Sequence, residues 1–102
     1  MKKNKILIVD DDETNIFVLE KIFKKDYKIK SVSSGEDALK TIFSFNPDVI
    51  LLDIMMPGIG GYEVCRRIKS DKILQNIKVI HIFFILFTRK NVFTSKSWEK
   101  GP

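Results

Sequence analysis

The sequence predicts an α/β fold, a three-layer doubly wound parallel sheet with helices on both faces. Two observations carry that expectation. Ile6-Leu7-Ile8-Val9 and Val49-Ile50-Leu51-Leu52 are continuous apolar runs with no polar face, the pattern of strands covered on both sides. Amphipathic segments at helical spacing alternate with them, an order that requires right-handed crossovers between parallel strands.

Taken in order, the first apolar run ends directly in Asp10-Asp11-Asp12-Glu13, so acids stand at the C-terminal end of a strand. Ile16, Leu19, Ile22 and Phe23 then recur at helical spacing, and Lys24-Lys25-Asp26 closes that helix with lysines suited to its negative end. Tyr27, Ile29 and Ser31 alternate with Lys28 and Lys30, a half-exposed strand whose lysines fit an edge position. Ser34-Gly35-Glu36-Asp37 reads as a helix start with Ser34 as N-cap; Ala38, Leu39, Ile42 and Phe43 are expected on its buried face, and it should stop before Pro47.

The second apolar run also ends in an aspartate, Asp53. Residues 55–61 form a loop with Pro57 and three glycines, after which Val64, Cys65 and Ile68 mark a third helix ending near Ser70-Asp71. Residues 77–87 would give a long fourth strand. Residues 88–102 show no clear periodicity; a hairpin turning at Arg89-Lys90-Asn91 is the only structure the pattern suggests.

Length and composition fit one small domain: 102 residues, 44% apolar. The apolar run after the first lysines is too short for an export signal, and no run approaches the roughly 20 residues of a membrane helix. A cytoplasmic protein is expected, and the single Cys65 reads as a buried thiol on a helix. The net charge of +5 comes largely from residues 88–102, with four basic side chains against one acidic. No aromatic-basic alternation accompanies that tail, so a solvated end is expected and nucleic acid is not.

Ligands of open parallel sheets bind outside the carboxyl ends of the strands, where the winding reverses. If the strands follow the order 2-1-3-4, borrowed from known doubly wound sheets, Asp10, Asp11 and Asp53 converge on one crevice. Three carboxylates that close repel one another, and a hard divalent cation such as Mg2+ resolves the conflict. A metal there would neutralise a phosphoryl group while an aspartate attacks phosphorus in line. The plainer reading is that residues 10–13 favour a helix N-terminus and Asp53 caps a loop. The independent recurrence of a strand ending in aspartate, before a Pro- and Gly-rich loop, weakens it.

Ile6-Leu7-Ile8-Val9-Asp10-Asp11, Ser33-Ser34-Gly35-Glu36-Asp37-Ala38-Leu39 and residues 47–58 (PDVILLDIMMPG) together resemble the receiver domains of two-component response regulators, over residues 5 to about 80. The resemblance implies a flavodoxin-like receiver fold. It implies Asp53 as phospho-acceptor, Asp11 as direct metal ligand, Asp10 as ligand through water, and the backbone carbonyl of Met55 as a further Mg2+ ligand. It also implies a module that is not an enzyme, phosphorylated by a sensor histidine kinase or phosphotransfer protein.

Departures from the pattern accompany it. Phe83 stands where receivers carry a Thr or Ser at the end of the fourth strand, with Thr88 a displaced hydroxyl. Lys100 precedes Gly101-Pro102 without a strand before it, so it is not assigned the family's Lys-Pro role; Gly60 replaces a common aspartate. The expectation is therefore a receiver over 1–87, incomplete at its C-terminal end, with the fifth strand and last helices missing or replaced by a basic tail over 88–102. A frameshift or a natural divergence would produce such a change of text. The alternative function is a degenerate receiver that binds metal or a protein partner without switching, with the uncovered fourth strand open to homodimerisation. The sole histidine, His81, is expected to be a satisfied core or edge residue rather than a phosphoryl donor.

Overall fold

The first apolar run forms β1 (Asn4–Val9), with Leu7, Ile8 and Val9 wholly buried. It sits inside the sheet because both faces of the run are apolar, and each face meets its own layer. The computed structural model describes residues 3–82. Beyond β1 these form α1 (Glu13–Phe23), β2 (Tyr27–Val32), α2 (Gly35–Phe45), β3 (Val49–Leu52), α3 (Gly61–Ser70) and β4 (Lys78–His81). All pairs are parallel and the order is β2-β1-β3-β4, with β2 at one edge as its lysines predict. β4 is the other edge among the described residues.

Alternation along the strands divides the core in two. Leu7, Val9, Ile50 and Leu52 pack with Ala38 and Ile42 of α2 and Val64 and Ile68 of α3. Ile6, Ile8 and Leu51 face the other way, onto Leu19 of α1. Leu19 is the buried residue of α1 and is fully enclosed, so truncating it to alanine costs about 2–5 kcal/mol.

The helix ends follow the local chemistry. Ser34 caps α2 by accepting from the Asp37 N–H at 3.0 Å, and Asn46, at φ 53°, closes it in the left-handed conformation just before Pro47. Glu63 of α3 pairs with Arg66 and Arg67 one turn on, at 2.6 and 2.8 Å.

Several expectations are corrected. Phe43 is not buried but 57% exposed. The inward stripe of α2 is Gly35, Ala38 and Ile42, and Phe43, about 100° further round the helix, falls outside it. The fourth strand does not run on through residue 87: it ends at His81, opposite the last residue of β3, Leu52, and Ile82 is helical. Among the described residues β3 is the partner of β4, and past Leu52 that strand has no further residue for β4 to pair with. His81 is half-buried rather than satisfied, since its Nδ1 is enclosed without a hydrogen-bond partner among the described residues. Cys65 is half-buried against the α2–α3 core. Phe83, Thr88, Lys100, the hairpin at 89–91 and the tail over 88–102 lie outside the described residues.

Candidate functional site

β1 and β3 are adjacent and in register, Val9 opposite Leu52, so the residues that follow them emerge side by side. The Asp53 N–H donates to the Val9 carbonyl at 2.9 Å and the Asp10 N–H to the Val32 carbonyl at 3.1 Å, which extends the ladder one residue into the site. The sheet thereby fixes both backbones before any side chain is considered.

The expected carboxylates converge. Asp10, Asp11 and Asp53 each place an oxygen within 4.8 Å of the others. Asp10 is fully buried, Asp53 half-buried and Asp11 exposed, so the cluster opens toward solvent on one side. Asp10 Oδ1 accepts from the Asp12 N–H at 2.9 Å, and Asp12, the N-cap of α1, accepts from the Thr14 N–H at 2.8 Å. Asp12 thus serves the helix, while Asp10 and Asp11 stay in the crevice.

Asp10 Oδ2 accepts from the Asn15 side-chain amide at 2.9 Å, a contact the sequence reading missed. Burial raises the Asp10 carboxyl above its ordinary value; the Asp12 and Asn15 hydrogen bonds oppose that, and the neighbouring Asp53 charge adds to it. No lysine or arginine pairs with any of the three among the described residues. An anionic cluster of this kind, one member desolvated, fits a hard divalent cation.

One oxygen of Asp53 is engaged by the loop that follows it. The Met55 N–H donates to Oδ1 at 3.1 Å, and the Met55 side chain is 85% exposed beside it. The 55–60 loop is held from behind: the Gly61 N–H donates to the Ile54 carbonyl at 3.0 Å, and Met56 is buried in the α2–α3 core. Gly58 turns this loop at φ 74°, a conformation that favours glycine, with the Glu36 carboxylate of α2 alongside.

Residues 6–90 match the family described as the response regulator receiver domain. The chain belongs to that family. This receiver is 42% identical over 79 residues to the response regulator PleD of Caulobacter vibrioides, covering 76% of its own length but only 17% of PleD. Among solved structures it resembles a putative response regulator from Chloroflexus aurantiacus, with a TM-score of 0.76 and 33% identity, over 78% of this chain and 66% of that one. The Mn(2+)-bound form of response regulator Rcp1 aligns with a TM-score of 0.70 and 25% identity, over 76% and 63% of the two chains. The receiver fold and the two-component family are thereby established. No helix among the described residues is long and apolar enough to cross a membrane.

Proposed function

We propose that this receiver accepts a phosphoryl group on Asp53, with Mg2+ held by Asp10, Asp11, Asp53 and the backbone carbonyl of Met55. The carrying observation is the convergence of three carboxylates at the ends of β1 and β3. A relative crystallised in a Mn(2+)-bound form supports the metal. When bound, the ion supplies positive charge for the phosphoryl oxygens and relieves the repulsion among the acids.

The remaining work falls to the protein. The Met55 N–H holds Oδ1 of Asp53 and leaves Oδ2 as the attacking atom. An oxygen–phosphorus bond forms at Oδ2 as the donor's bond to phosphorus breaks in line, its electron pair leaving with the donor. Receiver domains take that group from sensor histidine kinases or phosphotransfer proteins; for this chain, we assign a phosphohistidine donor, whose imidazole nitrogen keeps the pair and is reprotonated from water. As a phospho-acceptor the chain is not an enzyme in its own right, and the cytoplasm is the compartment that fits it.

Incubation with Mg2+ and acetyl phosphate, followed by intact mass measurement, should add one phosphoryl group to the wild type and none to Asp53→Asn. An unmodified wild type, or an equally modified variant, would refute the assignment. One sequence feature favours a second reading, a receiver that takes phosphate without switching: Phe83 stands at the family's Thr/Ser position and lacks a hydroxyl to hold a phosphoryl oxygen. Hydrogen exchange that is the same with and without phosphorylation would support that reading, and widespread changes in protection would exclude it.

A further inference from the structure

Asn15 is the third residue of α1, and its side chain reaches back past the N-cap to the fully buried Asp10, Nδ2 to Oδ2 at 2.9 Å. A third-position side chain ordinarily reaches the backbone of the N-cap, as in a capping box. Here the N-cap donor is already taken: the Asp12 N–H is bonded to the other oxygen of Asp10. The amide can face Asp10 in one sense only, because an ionised carboxylate accepts and does not donate.

Each oxygen of Asp10 therefore has its own donor, and the two donors come from different places, a backbone amide in the β1–α1 turn and a side chain one turn into the helix. The torsion that orients a carboxylate plane is broad and holds no sharp preference of its own. One hydrogen bond leaves that plane free to turn about the bonded oxygen; two on opposite oxygens fix it. The carboxylate still has lone pairs to spare for a metal-bound water, since it offers about four acceptor sites.

We propose that Asn15 is a positioning residue for the metal site: it locks the plane of Asp10 so that the acidic crevice is set for a divalent cation before the ion arrives. This rests on the Mg2+ reading above. Hydrogen-bond partners of metal-binding groups typically contribute 10- to 100-fold in affinity, and this contact has that character. Asn15 touches neither phosphorus nor Asp53 in this scheme, and its effect passes through Asp10 alone.

The test is Mg2+ binding by the full chain, followed by calorimetry, with Mn2+ binding followed by water-proton relaxation. Asn15→Leu keeps the size of the side chain and removes the donor; Asn15→Gln keeps the amide. The expected result is a Kd for Mg2+ raised roughly 10- to 100-fold in Asn15→Leu and at least partly recovered in Asn15→Gln, with far-UV circular dichroism unchanged. Equal affinity in wild type and Asn15→Leu overturns the proposal. Equal weakening in Leu and Gln also overturns it, because shape rather than the donor would then be responsible. If Asn15→Leu does not fold, Asn15→Ala is judged by the same comparison. A wild type that binds neither ion defeats the Mg2+ reading itself, whereas a binding wild type with an indifferent Asn15 defeats only this inference.

Discussion

Gly61 lies directly against the backbone of Asp53. A Cβ at Gly61 would overlap the Asp53 carbonyl oxygen and come within 2.5 Å of the Ile54 Cα, both of them main-chain atoms that cannot swing aside. The start of α3 is thus a wall behind Asp53. Gly61→Ala should destabilise the protein by about 1–3 kcal/mol, the usual cost of overpacking, and should slow acetyl phosphate labelling beyond what the lost folded fraction explains. Urea unfolding and labelling rates on the same samples check this. A variant as stable and as reactive as the wild type would show that the loop yields without consequence.

Asp53→Asn should do the opposite to stability. Its carboxylate lies within 4.8 Å of two others, and unit charges about 4 Å apart interact by about 1 kcal/mol in water and about 4 kcal/mol near a protein surface. Removing one charge while keeping the shape should stabilise the metal-free protein by about 1 kcal/mol. Urea midpoints in a chelator, at low and high salt, measure it. No gain would mean that the three acids do not repel as their spacing requires.

The sheet and the acids were legible because each rests on a local pattern with one physical meaning. An apolar run with no polar face must be covered on both sides, and Asp10 and Asp53 follow such runs directly. Phe43 was misread because helical spacing gives the period of a face but not its width; the face narrows to Ala38 and Ile42, where α2 meets the sheet. The end of β4 was illegible for another reason. Ile80 and Ile82 flank His81 with no turn residue among them, and the strand ends opposite Leu52, the last residue of its neighbour β3. Asn15 left no signal at all, because an asparagine early in a helix looks like any other capping residue until Asp10 is seen beside it.

Two carboxyls should shape the acid stability profile in opposite directions. Arg66 and Arg67 hold Glu63 down to about 2, so its contribution is present above its ordinary value of 4.5 and is lost as pH falls toward 2. Burial raises Asp10, so its contribution is complete below its ordinary value of 3.8 and is lost as pH rises through the raised folded value. Glu63→Gln should flatten the low-pH limb, and Asp10→Asn should remove the loss above it, when unfolding is followed from pH 2 to pH 7 in a chelator. If Asp10→Asn loses as much stability across that upper range as the wild type, burial of Asp10 is not what sets the slope.

Mg2+ should counter the loss that Asp10 causes at neutral pH. A ligand that binds only the folded chain stabilises it by about 2.7 kcal/mol at a hundred times its Kd. For a domain of this size, each kcal/mol moves the melting temperature by about 4–8 °C, so saturating Mg2+ should raise it by about 10–20 °C. A chelator should reverse the rise, and potassium at equal ionic strength should not reproduce it. The gain should shrink in Asp11→Asn, which removes a carboxylate from the crevice. It should also shrink as pH falls, because a proton on the buried Asp10 removes a negative charge that the ion and its bound water would otherwise meet. A melting temperature indifferent to Mg2+ at neutral pH would mean that the three carboxylates meet their repulsion by some route other than a cation.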